Sequence, residues 1–298
     1  MRVAVTGAAG FIGDPVVRRL VASGDEVLAL VRPGSTSPRL QGTRATVREC
    51  PLEDGDALER LFAAERPEAL VHLAWYARPQ DYLVSRENLA SLSTSLRVTE
   101  AALAGGCRRI VGVGTCLEYA AAERAFREDD PADPVSPYAS AKHAAYLVMR
   151  ALAARAGAEL AWARVFHLFG PGEAESRLVP SVAASLRRGE PTAVTAGEQV
   201  RDYMHVDDVA AGIAALARPG AAGVFNVCSG EARPLRDLLA TLGRILGRES
   251  GLVFGARPYA AGESMHLAGR SDRLRQLGWK PRFTTLEDGL RDALGVGA

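Results

Sequence analysis

The sequence predicts an α/β fold: a doubly wound parallel sheet with a smaller C-terminal lobe. Three observations predict it. Short apolar runs alternate with longer stretches of helical period through the first half, a glycine-rich turn joins the first run to the first helix, and after about Val165 the rhythm gives way to Gly- and Pro-rich connections. Strands that alternate with helix-length crossovers return in the same direction, which makes the sheet parallel.

The strands come first. Arg2 to Thr6, Glu26 to Val31, Ala69 to Leu73, Arg108 to Gly114 and Glu159 to Val165 are apolar enough to be buried on both faces. Between them Phe11 to Ser23, Asp56 to Glu65, Glu87 to Gly105 and Pro137 to Gly157 are long enough for crossover helices, each ending near Gly or before Pro. Residues 1–165 therefore form a dinucleotide-binding unit. Asp202 to Val206 and Val224 to Val227 again have strand character, so residues 200–228 are expected to return to it, leaving 166–199 and 229–298 as the lobe.

Composition narrows the class. With 48% hydrophobic and 24% charged residues the chain is an ordinary globular one, and 36 basic against 35 acidic side chains leave no electrostatic case for a nucleic acid or anionic membrane as partner. No apolar stretch reaches the roughly 18 residues of a membrane span. Cys50, Cys107, Cys116 and Cys228 are too scattered for a disulfide framework or metal site and are expected as free thiols. A cytoplasmic location is the expectation.

Thr6-Gly7-Ala8-Ala9-Gly10-Phe11-Ile12-Gly13 follows the first strand and opens the first helix. Backbone N–H groups at a helix start attract a pyrophosphate, and the missing Cβ atoms let it come close, so Gly7, Gly10, Phe11, Ile12 and Gly13 are candidate cofactor residues. Where an NAD site usually carries an acid for the ribose 2′-hydroxyl, the second strand ends in Arg32. That cation favours NADP(H) over NAD(H) by pairing with a 2′-phosphate, the alternative being a solvated loop charge. Ser35 and Arg39 either assist it or are plain loop residues.

Tyr138 and Lys142 stand four apart on one helix face. A fixed ammonium stabilises a phenolate, so Lys142 is expected to draw the Tyr138 pKa down toward neutrality, making Tyr138 the proton carrier for a hydride transfer. Thr115 ends a strand where ligands bind in open α/β sheets and can hold the substrate oxygen, or else cap a turn. Thr115, Tyr138 and Lys142 are the catalytic candidates.

The blocks T-G-A-A-G-F-I-G from Thr6, H-L-A-W from His72, Y-x-x-x-K from Tyr138, R-V-F-H-L-F-G-P-G from Arg164, R-D-Y-M-H-V-D-D-V-A from Arg201, F-N-V-C-S-G from Phe225 and L-G-W-K-P from Leu277 occur in that order. Together they resemble the extended short-chain dehydrogenase/reductases of the nucleotide-sugar epimerase, dehydratase and reductase group. The resemblance implies a Rossmann fold whose C-terminal lobe binds substrate. It implies Leu73 and Ala74 lining the cofactor, Leu52 and Asp54 beside the adenine, Tyr138 and Lys142 also touching the cofactor, and Arg201 with Arg257 on a substrate diphosphate. Trp75, Thr115 and Cys116 are expected near the sugar, as is His167, although the family often has Asn there. His72 and His205 are expected in structural roles, and no metal is implied. The helices around Leu89 to Leu103 and Ala139 to Ala153 resemble those that form a homodimer interface in this family, or bury against the sheet instead.

Family dehydratases have Thr-Asp-Glu where this chain has Thr115-Cys116-Leu117, so dehydration lacks its acid and base; Glu118 falls one residue late and is expected as a polar loop residue. With Arg32 pointing to NADPH, the leading expectation is reduction of the C4 ketone of a nucleotide-linked, dTDP-type 4-keto-6-deoxyhexose. The alternative is a nucleotide-sugar 4-epimerase with tightly bound NAD, and outside enzymes an NADP-binding regulator.

Overall fold

The computed structural model describes residues 1–260 and 262–296. Strands β1 (Arg2–Thr6), β2 (Glu26–Val31), β3 (Thr46–Glu49), β4 (Ala69–His72), β5 (Arg109–Thr115) and β6 (Glu159–Val165) lie parallel. Four short strands follow, β7 (His167–Phe169), β8 (Thr192–Val194), β9 (Val200–Arg201) and β10 (Tyr203–His205), before β11 (Gly223–Val227) rejoins the sheet beside β6. The sheet order is β11-β6-β5-β4-β1-β2-β3. The fold is thus the doubly wound α/β sheet that the alternation predicts.

Helices cover both faces because the strand residues alternate. Val3 and Val5 point into one core with α1 (Gly13–Ala22) and α6 (Val206–Leu216), whereas Ala4 points into the other, built by α2 (Gly55–Glu65), α3 (Glu87–Ala104) and α4 (Pro137–Arg155). β3 carries no apolar run because it is an edge strand with all four residues exposed, and charged Arg48 and Glu49 suit an unpaired edge. The stretch around Asp202 to Val206 lies outside the main sheet: β10 pairs with β7 beyond the end of β6, then turns straight into α6. The lobe has its own core where Phe169 and Val194 meet α5 (Leu178–Arg187), α7 (Leu235–Ile245) and, past the short α8 (Asp272–Gln276), α9 (Leu286–Leu294). Residues 261, 297 and 298 of that segment lie outside the described residues.

The order reverses between β4 and β1, so the turns leaving these two strands diverge and open a crevice at their carboxyl ends. No helix among the described residues is long and apolar enough to cross a membrane. All four cysteines are buried and free.

Candidate active site

At the switch point the backbone itself makes the site. Gly7 has φ +65°, and a Cβ there would stand 2.9 Å from Ala74 N, so the turn after β1 lies directly on the turn after β4. At Gly13 a Cβ would fall 2.0 Å from Gly7 O, which only glycine avoids as α1 packs down on its own approach. The Thr6 hydroxyl accepts from the N–H groups of Leu73 and Ala74, both at 3.2 Å, and donates to His72 Nδ1 at 2.8 Å. This direction follows from the far side of the ring: Ser95 gives its proton to Ser91 O, so it accepts from His72 Nε2 at 2.8 Å. Burial, aided by Lys142, pulls the His72 pKa down to about 3, and the neutral ring acts as a spacer between β1, β4 and α3.

The N–H groups of Phe11 and Ile12 have no hydrogen-bond partner among the described residues. Free donors at the start of α1, over a cradle that side chains would fill, fit the pyrophosphate of a dinucleotide. At the adenosine end the Arg32 side chain is exposed and unpaired among the described residues, as a partner for a 2′-phosphate requires. Arg39 is engaged elsewhere, donating through Nη2 to Gly172 O at 2.8 Å and so joining the loop after β2 to the lobe. Ser35 bonds Ser37 at 2.9 Å. Asp54 is exposed and caps α2 through Ala57 N at 3.0 Å, with Leu52 half-buried beside it.

Across the crevice Thr115 is the last residue of β5, and Pro137 starts α4 one residue before Tyr138. Lys142, 5% exposed, donates to Val113 O at 2.7 Å and lies 3.9 Å from the centroid of the Trp75 ring. Tyr138 meets Trp75 and Tyr82 edge-on, at 6.4 and 4.9 Å between centroids. The expected depression of the tyrosine pKa is not what the geometry gives. Burial pushes the phenol up, with Tyr82, Cys116 and Glu118 adding to the effect and Thr115 opposing it. Lys142 sits 6.0 Å from the Tyr138 ring centroid, bonded to a carbonyl, and burial pulls its own pKa down to about 7 against the pull of Glu118. Thr115 does cap a turn, accepting from Leu117 N at 3.3 Å.

Glu118 is the residue that the sequence misled on. Far from being a polar loop residue, it is 0% exposed and accepts from Thr115 N (2.9 Å), Trp162 Nε1 (3.1 Å) and Arg164 Nε (3.2 Å). The signal was in the strand: a Cβ at Gly112 would be 2.5 Å from the Trp162 ring and one at Gly114 2.2 Å from Glu118 Oε1. Alternate glycines clear one face of β5 for an indole and a carboxylate.

The expected sugar-side residues divide. Trp75 stands against Lys142 and Tyr138, its indole donating to Asn88 at 2.9 Å. Cys116 turns into a buried apolar cluster with Tyr119, Phe126, Phe166 and Cys228, and burial raises its thiol to about 12; facing a sugar would require it to leave that core. His167 packs on Tyr203 at 5.1 Å with Nδ1 buried and unpartnered, and burial pulls its pKa down to about 3. Arg201, 7% exposed, donates to Ser264 O at 2.7 Å and to Glu263 at 3.3 Å. Arg257 is exposed, and its backbone N–H donates to Val194 O. His205 caps α6 and faces Asp292 at 3.2 Å. Among the described residues, no group of three or more His, Cys, Asp or Glu is arranged to hold a metal.

A family model described as the NAD dependent epimerase/dehydratase family matches residues 3–228. The UDP-glucose 4-epimerase of Azospirillum brasilense is 29% identical, over 98% of this chain and 91% of that relative. A 3-diazoavenalumate denitrifying reductase of a Streptomyces species is 30% identical over 97% and 99% of the two chains. Among solved structures, the Thermus thermophilus UDP-glucose 4-epimerase in complex with NAD superposes with a TM-score of 0.85 at 26% identity, covering 99% of this chain and 98% of that one.

Proposed function

The chain belongs to the NAD-dependent epimerase/dehydratase family, and on that premise we propose that it inverts the C4 hydroxyl of a nucleotide-linked hexose by oxidising it to a ketone and reducing it again. One observation carries this. Thr115, Tyr138 and Lys142 converge on one crevice, while Cys116 and Leu117, where a dehydratase carries its acid and base, hold no such group: Cys116 is a buried neutral thiol and Leu117 is apolar. The side chains therefore suit oxidation and reduction at a carbinol and little else.

When bound, a nicotinamide dinucleotide supplies the two-electron acceptor and donor. Phe11 and Ile12 would hold its pyrophosphate, Leu73 and Ala74 would line it, Leu52 and Asp54 would lie at the adenine, and Lys142 would touch it at the reacting end. Tyr138 takes the proton of the C4 hydroxyl as that carbon is oxidised and gives it back on reduction, and Thr115 orients the oxygen. A phenol held in its neutral form by burial is ready to donate and needs the Lys142 ammonium to accept. Arg201 and Arg257 hold the diphosphate, with Trp75 and His167 at the sugar. Exposed Leu89, Leu147 and Val148 on α3 and α4 mark the face through which two copies would pair.

A second reading is net reduction of a nucleotide-linked 4-keto-6-deoxyhexose by NADPH. The unpaired Arg32 favours it, and one relative bears a reductase's name. Incubation with UDP- and dTDP-hexoses, and separately with dTDP-4-keto-6-deoxyhexoses and NADPH, followed by proton NMR of the sugar and by absorbance of the reduced cofactor, separates the two. Interconversion of C4 epimers at constant NADH is the expected result. Stoichiometric oxidation of NADPH by the ketone without epimerisation supports the second reading, and neither outcome with any sugar overturns both.

A further inference from the structure

A carboxylate in the interior is costly unless each oxygen is satisfied and its charge matched. Glu118 meets both conditions with partners from three elements. Thr115 N–H and the Trp162 indole bond it, Arg164 Nε pairs with it at 3.2 Å, and His143 Nδ1 from α4 approaches to 3.4 Å. Gly114 lacks the side chain that would block it. Packing alone does not require the charge, since a buried ion pair is often replaceable by neutral groups of similar shape without loss of stability.

The charge has a second destination. Lys142 is the residue before His143 and is held by Val113 O, two residues before Thr115 on the same strand. Around its ammonium stand neutral His72, the Trp75 face and Tyr138. Among the described residues, Glu118 alone acts there in favour of the charged form.

We propose that Glu118 is a positioning residue of the redox site: its buried carboxylate fixes the Thr115 backbone and supplies the negative charge that balances the Lys142 ammonium. This rests on Tyr138 and Lys142 being the redox centre, but not on which sugar binds.

The chain contains two lysines, Lys142 and Lys280, and Lys280 is exposed, so its signal serves as internal reference. With lysine labelled at ¹³Cε, the titration of Lys142 is read directly by NMR on the intact protein, without substrate. Glu118→Gln moves the Lys142 midpoint down by about one pH unit. Since that single change leaves Arg164 facing a neutral amide, the double change Glu118→Gln/Arg164→Met provides a neutral pair in the same space, and the downward shift persists in it. An unchanged midpoint in both folded variants overturns the proposal. Once a substrate is in hand, the pH dependence of kcat shifts in the same direction with KM constant, whereas a purely structural role lowers activity equally at every pH. If no sugar is turned over, the functional assignment fails while the lysine titration still stands or falls on its own.

Discussion

At the dinucleotide end of the crevice, shape comes from side chains that are missing. Gly7 and Gly13 bring two turns and a helix start into contact, and the donors of Phe11 and Ile12 are left free among the described residues. At the catalytic end the strand glycines serve the reverse purpose: Gly112 and Gly114 make room for Trp162 and Glu118, and the polar groups near them are bonded to one another. The first end would bind by backbone dipoles, which do not titrate. The second would work through buried ionisable groups whose protonation depends on their neighbours. Changes of shape should therefore damage one end, and changes of charge at constant shape the other.

The sharpest way to break this contrast is Tyr138→Phe, which removes one oxygen. Turnover falls by about 10²–10⁴-fold, with cofactor affinity retained because the backbone cradle is untouched; steady-state rates and cofactor titration by fluorescence check both halves. Smaller is Gly13→Ala. A methyl 2.0 Å from Gly7 O forces the turn apart, at a cost of about 1–3 kcal/mol that appears as weaker cofactor binding and a lower Tm, while turnover by the loaded enzyme persists. If Gly13→Ala instead lowers kcat at saturating cofactor, the two ends are not separable. Smallest is Arg32→Asp, which weakens NADPH relative to NADH by about tenfold, the loss of one charge-assisted hydrogen bond. An unchanged preference would make Arg32 a solvated loop charge.

Much of this was legible in the chain. Apolar runs such as Val3 to Val5 and Ile110 to Val113 are buried on both faces, and that is a local property of composition. The glycine turn and the Tyr138–Lys142 pair are local too. What escaped depends on distance: Glu118 finds Trp162 and Arg164 at separations of 44 and 46 residues, so its burial cannot be seen from its neighbours. The direction of the Tyr138 shift escaped for a similar reason. A cation four residues away was legible, but the rings of Trp75 and Tyr82 that bury the phenol come from another segment. The burial of Cys116 escaped as well, because its core is assembled from residues up to Cys228 and Leu267.

The bond from Arg39 to Gly172 O is exposed, and a bond of that kind contributes about 1 kcal/mol. It ties the loop after β2 to the start of the lobe through a single arginine side chain. An epimerase keeps its cofactor and a reductase exchanges it in every cycle, so loss of this one contact, as in Arg39→Ala, should be felt by the second and be immaterial to the first.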